Sequence, residues 1–118
     1  MAPNQTEFLS TAALLTALRH RAEGLHTKLS SDEARDPLQA LLNRLRERPA
    51  TGEAKAAARV LSHLIRPEAN EKFLAADLYL LPGELLALLD LLIDDRISGR
   101  YGSAEWQRAC RVLESFKA

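Results

Sequence analysis

Between Pro82 and Asp95 the chain is apolar almost all round. Leu85, Leu86, Leu88, Leu89, Leu91, Leu92 and Ile93 cover well over half of a helical wheel, leaving a narrow arc for Glu84, Asp90 and Asp94. A surface helix carries a narrower stripe, so this pattern predicts a central helix over about 82–95, enclosed by its neighbours. A bundle of this size can bury such a helix entirely or leave part of it for a second molecule, and the pattern leaves both open.

The flanking segments also read as helices. Over residues 6–29, Phe8, Ala12, Leu15, Leu18, Ala22, Leu25 and Leu29 recur at three- and four-residue steps and predict one amphipathic helix. Thr6 or Ser10 is its cap, and Gly24 is a mild interior weakness. The run SSDEARD reads as a turn, after which Asp36-Pro37 opens a second helix to about Arg48 with Leu38, Leu41, Leu42 and Leu45 inward. Pro49 stops it. Thr51 caps a third helix whose inward positions are Ala54, Ala57, Ala58, Leu61, Leu64 and Ile65, with small residues that permit close helix approach.

After Arg66-Pro67 a shorter helix is predicted over about 68–80. Leu81 precedes proline and is biased away from helical geometry, so the central helix restarts at Pro82. RISGRYGS then reads as a loop, and Ser103 caps a last helix with Trp106, Ala109, Cys110, Leu113 and Phe116 inward. No strand-like alternation and no solenoid period is visible. The prediction is an all-α, single-domain bundle of five to six helices over 1–118, with 1–5 as a flexible tail.

Composition narrows the class of protein. A chain of 118 residues is long enough to bury a core without disulfides or metals, and a lone cysteine, Cys110, argues against a secreted disulfide scaffold. Richness in Ala, Leu and Arg resembles the usage of GC-rich bacterial genomes. MAPNQTEF lacks a basic region ahead of an apolar one, so no signal peptide is expected, and Asp77, Glu84, Asp90 and the Pro82-Gly83 break oppose a membrane span. A cytoplasmic protein is the expectation.

Formal charge is zero in sum but uneven along the chain. Residues 19–66 hold ten basic and six acidic side chains, 68–95 one and seven, and 96–118 five and two. Neighbouring helices can pair these surfaces, or opposed patches can serve docking.

Candidate chemistry is sparse. The loop DDRISGRYGSAE matches a calcium-binding loop at Asp94, Ser98, Gly99 and Glu105, with the Arg100 carbonyl in place, and resembles a degenerate EF-hand-like helix–loop–helix. Arg96 stands where an acid is needed and Gly102 offers no side-chain ligand, so calcium binding is not expected. Glu23-x-x-His26 is half of a di-metal spacing without its other half. His20 and His63 lack ligand-spaced partners and are expected to be solvated or locally bonded. Cys110 shares a stripe with Trp106 and Leu113 and is expected as packing. Neither a G-x-S-x-G nor a P-loop pattern is present. The expectation is a protein that is not an enzyme and carries neither cofactor nor metal.

Two binding readings remain. Arg44, Arg46 and Arg48 on the second helix, with Lys55, Arg59 and Arg66 on the third, can form a basic side for nucleic acid. The third helix, however, is mostly alanine and leucine and offers few side chains that read bases. Tyr79, Leu80 and Leu81 lie on a short, proline-bounded segment beside the most apolar helix and are the candidate contacts for a partner protein or a second copy. The preferred expectation is a small bacterial interaction module (adaptor, regulator, secretion-type chaperone or inhibitor). A nucleic-acid-binding regulator is the alternative.

Overall fold

The computed structural model describes residues 8–65, 73–99 and 101–114. The expected tail at 1–5, the cap Thr6, Arg66, most of the helix expected at 68–80, Arg100 and Phe116 lie outside these residues. Among the described residues there are seven α-helices: α1 Thr11–Ala22, α2 Ser31–Arg35, α3 Pro37–Glu47, α4 Gly52–Ile65, α5 Ala75–Leu78, α6 Gly83–Ser98 and α7 Ser103–Glu114. The all-α expectation holds, with one or two more short helices than predicted.

The central helix α6 is where the pattern placed it. Pro82 is its N-cap, in extended geometry at φ −70°, ψ 163°. Its C-terminus runs three residues past the expected Asp95, because Arg96–Ser98 contains neither proline nor glycine and the first helix-ending residue is Gly99. Gly99 is the first residue to take the left-handed conformation, at φ 73°, and its N–H donates to the Asp95 carbonyl. α6 packs against α1, α3, α4, α2 and the turn after α1. Leu85, Leu86, Ala87, Leu88, Leu89, Leu92 and Ile93 are all buried by these neighbours of the same chain. The radius of gyration, 13.2 Å, matches the ~13.5 Å expected of one compact domain of this length.

The first helix differs from expectation in length and in phase. It begins where Ser10 Oγ accepts from the Ala13 N–H at 3.2 Å, and it ends at Ala22 rather than Leu29. Gly24 stands at φ 78° and terminates it, and a 3-10 turn follows at His26–Lys28. The buried row is Leu14, Leu18 and Ala22, whereas Ala12 is exposed and Leu15 half-buried. Apolar residues occupy so much of TAALLTAL that spacing does not determine which row turns inward. Phe8–Leu9 is not helical; it pairs antiparallel with Phe73–Leu74, in the register Phe8↔Leu74 and Leu9↔Phe73. No strand was expected, and two-residue strands are too short to show alternation.

SSDEARD forms α2 rather than a turn. Ser30 and Glu33 make a reciprocal capping box, with Glu33 N–H to Ser30 Oγ at 3.2 Å and Ser30 N–H to Glu33 Oε1 at 3.1 Å. Asp36 then caps α3 by accepting from the Gln39 N–H at 3.3 Å, with Pro37 in the first turn. Leu38, Leu41, Leu42 and Leu45 are buried as expected. Thr51 Oγ1 accepts from the Ala54 N–H at 3.2 Å and starts α4. Its expected stripe is buried apart from the half-buried Ile65; Ala56, Val60 and His63 are buried too, so α4 is enclosed on more than one side. α7 starts at Ser103 itself, one residue before the expected position, and buries Trp106, Ala109 and Leu113, with Cys110 half-buried.

Two polar contacts fasten this frame. The Tyr101 hydroxyl accepts from the Leu38 N–H at 3.2 Å and donates to Asp36 Oδ1 at 2.7 Å, while its ring meets Trp106 edge-on at 5.5 Å. The α6–α7 turn is thereby tied to the start of α3. Arg44 donates Nε and Nη2 to Glu33 Oε2 at 2.8 and 2.6 Å, joining α3 to α2.

The Ser30 N–H, and after it Arg44, hold the Glu33 carboxyl below its ordinary value of 4.5, against the opposing effect of burial. A depressed carboxyl stabilises the fold above its unfolded value, and that contribution is lost as pH falls through the folded one. Glu33→Gln is therefore expected to lower the melting temperature by a margin that is constant near about pH 7 and closes below about pH 4.5. Thermal melts of both proteins across that range check it; a margin independent of pH would refute the assignment.

Candidate interaction surface

The proline-bounded segment after α5 is where sequence and structure converge. Successive tight turns run through it, with the Tyr79, Leu80 and Leu81 N–H groups donating to the carbonyls of Ala76, Asp77 and Leu78 at 3.1, 3.2 and 3.4 Å. Near three residues per turn, positions three apart share a side. Leu78 and Leu81 accordingly point inward, at 1% and 5% exposure, and Tyr79 and Leu80 point out, at 38% and 48%. These two are the large apolar side chains exposed among the described residues. Leu81, expected with them as a contact, belongs to the core.

Each exposed side chain has a defined neighbour. The Arg21 guanidinium carbon lies 4.4 Å from the centroid of the Tyr79 ring, a cation–π stack that reaches across from the last turn of α1. Leu80 Cδ1 lies over Gly52 at the start of α4, 3.8 Å from where a Cβ there would stand. Beyond Gly52 opens a shallow groove of about 350 Å³ at the meeting of α3, α4 and α6, with Arg48, Thr51, Glu53, Pro82, Glu84 and Leu85 among its walls.

The expected basic side is less uniform than its spacing implied. Arg44 is engaged by Glu33 on α2, and Arg59 lies 3.3 Å from Asp77 on α5. Arg46, Arg48 and Lys55 are exposed. Two of the five candidate positions among the described residues are thus spent within the fold, and Glu47, Glu53 and Glu84 border the groove beside Arg48.

A polar cluster that the periodicity concealed lies against α6. Asp90 was expected on the solvent arc but is 7% exposed. Its Oδ2 bonds His26 Nε2 at 2.8 Å, its Oδ1 faces Arg19 Nε at 3.4 Å, and Arg19 Nη2 donates to Asp94 Oδ1 at 2.8 Å. The Asp94 hydrogen bond raises the pKa of Arg19 above its ordinary value. Asp90 is the acid flanked by leucines on both sides in LLALLDLL, and a buried charge requires a partner; that context is the signal that could have found it. The cluster clamps α1 and the 3-10 turn onto α6.

The remaining candidates resolve similarly. Glu23 is exposed and His26 turns to Asp90, so Glu23-x-x-His26 does not converge on one point. Asp94–Ser98 is helical, which removes the first part of the calcium-loop geometry, and Asp94 is held by Arg19. No three His, Cys, Asp or Glu side chains among the described residues are placed to hold a metal ion. Of the two histidines expected to be solvated or locally bonded, His63 is buried, at 4% exposure, and His20 is exposed. No helix among the described residues is long and apolar enough to cross a membrane. Compared with protein-family models, curated proteins and solved structures, the chain has no significant match.

Proposed function

We propose that this protein is a small helical docking module that binds a partner protein through the Tyr79–Leu80 corner. The observation that carries the reading is the outward placement of two large apolar side chains on a tightly bonded turn, whereas the other large apolar side chains among the described residues are at least partly covered. Most of the described apolar length of α6 is covered by its own chain, which favours the corner over the central helix as the surface for a partner. Aromatic and arginine side chains are the types that most often anchor interfaces, and Tyr79 and Arg21 supply one of each.

Size points to a short segment as the partner's contribution. At 38% and 48% exposure the two side chains offer on the order of 150–200 Å², against ~800 Å² per partner in a standard stable interface. A transient contact with a partner's protruding segment suits an adaptor, regulator, chaperone or inhibitor better than a permanent homodimer. Nucleic acid is disfavoured beside Leu80 because Glu47, Glu53 and Glu84 border the adjoining groove and repel a phosphate backbone.

Affinity capture from native lysate tests the reading with two variants. A protein retained by the wild type is expected to be lost with Leu80→Asp and kept with the triple change of Arg46, Arg48 and Lys55 to Ala. Nucleic acid retained by the wild type and lost only with the triple change would instead establish the alternative.

A further inference from the structure

We infer that the corner recognises a partner segment carrying a carboxylate next to an apolar side chain, with the carboxylate held by Arg21 and the apolar group covering Leu80. This deepens the docking reading and rests on it. Arg21 makes no ion pair and no hydrogen bond among the described residues, whereas Arg19, Arg35, Arg44 and Arg59 each face a carboxylate. Its Nε is shielded from solvent and has no hydrogen-bond partner there.

The stack on Tyr79, at 4.4 Å, holds one face of the guanidinium against the ring. The N–H donors of a guanidinium lie in its plane, so a stacked arginine presents an edge, and with Nε shielded the terminal Nη1–Nη2 edge is the one that fits a carboxylate with two parallel hydrogen bonds. Stacking also restricts the side chain before the ligand arrives, which lowers the ordering cost of binding. Leu80 is the next residue along the same turn and is half exposed, so the anion and apolar sites are adjacent.

Charge around the corner favours one orientation of such a segment. Arg21 lies on the α1 side. On the Gly52 side the groove is bordered by Glu47, Glu53 and Glu84 against Arg48, since Arg44 is already paired with Glu33. The acidic residue of the segment therefore lies over Arg21, and the chain beyond the apolar residue runs toward the acidic groove, where further carboxylates are repelled.

The test uses a random peptide library displayed on phage, selected against the immobilised full chain, followed by titration of the enriched peptide in synthetic form. Enriched peptides are expected to carry Asp or Glu within a few residues of Leu, Ile, Met or Phe. Replacing that acid by its amide, or making Arg21→Gln, is expected to weaken binding about tenfold, and the two changes together no further. Circular dichroism confirms that each variant remains folded. Peptides that bind through Leu80, as shown by loss with Leu80→Asp, but need neither an acid nor Arg21 would overturn this inference and leave the docking reading standing. Failure to select any peptide that depends on Leu80 would overturn both.

Discussion

Leu89→Ala is expected to destabilise the protein by about 3–4 kcal/mol and to lower its melting temperature by about 10–15 °C. Leu89 is wholly inaccessible, in the middle of a helix packed by α1, α3 and α4. Neighbours on several sides limit how far the structure can close over the lost methyl groups, so a cavity cost adds to the lost burial. Leu91, two residues away on the same helix, is only half-buried. Leu91→Ala is expected to cost about 1 kcal/mol, because part of that side chain already meets water. Denaturant unfolding of both variants provides the comparison. Equal costs would mean that α6 does not face its neighbours in this phase.

That contrast also shows what the sequence made legible. A lone Leu, Pro or Gly decides little, but dense apolar coverage from Leu85 to Ile93 marks a helix that must be covered, and α6 is buried among its neighbours. Capping chemistry was readable at Thr51 and, as one of two options, at Ser10, and Asp36 caps the helix that Asp36-Pro37 was read as opening; each accepts the backbone N–H three residues on. Ser30-x-x-Glu33 carried the same kind of signal, a capping box, and α2 follows from it although the stretch reads as a turn by composition.

Phase and partnership were harder to read. In TAALLTAL two rows of the helix are comparably apolar; Leu18 and Ala22 are inward as expected, and the choice of Leu14 over Ala12 and Leu15 is made by what α6 presents to it. Asp90 sits inside because Arg19 and His26 come from 71 and 64 positions away along the chain to meet it. Distances of that kind are invisible to periodicity. The candidate surface was half legible. A proline-bounded break marked the segment, but only the three-residue turn decides that Tyr79 and Leu80 face out and Leu81 in. Arg21, outside every candidate set, joins the corner through the stack on Tyr79.

The central claim is that this corner binds protein while contributing little to the fold, and one substitution separates those properties. Leu80 is 48% exposed, so Leu80→Asp is expected to change stability by less than about 0.5 kcal/mol. In the docked state the same change places a charge against an apolar contact, and the loss of an anchor of this kind is worth about 2 kcal/mol or more. The decisive measurement is calorimetric titration of the captured partner with wild type and Leu80→Asp, at two salt concentrations and beside matched thermal melts. The expected result is at least ~30-fold weaker binding for the variant, coincident melts, and a wild-type affinity that varies only weakly with salt. Undiminished affinity of Leu80→Asp, or a wild-type affinity that falls steeply with salt and is lost with Arg46, Arg48 and Lys55, would contradict it.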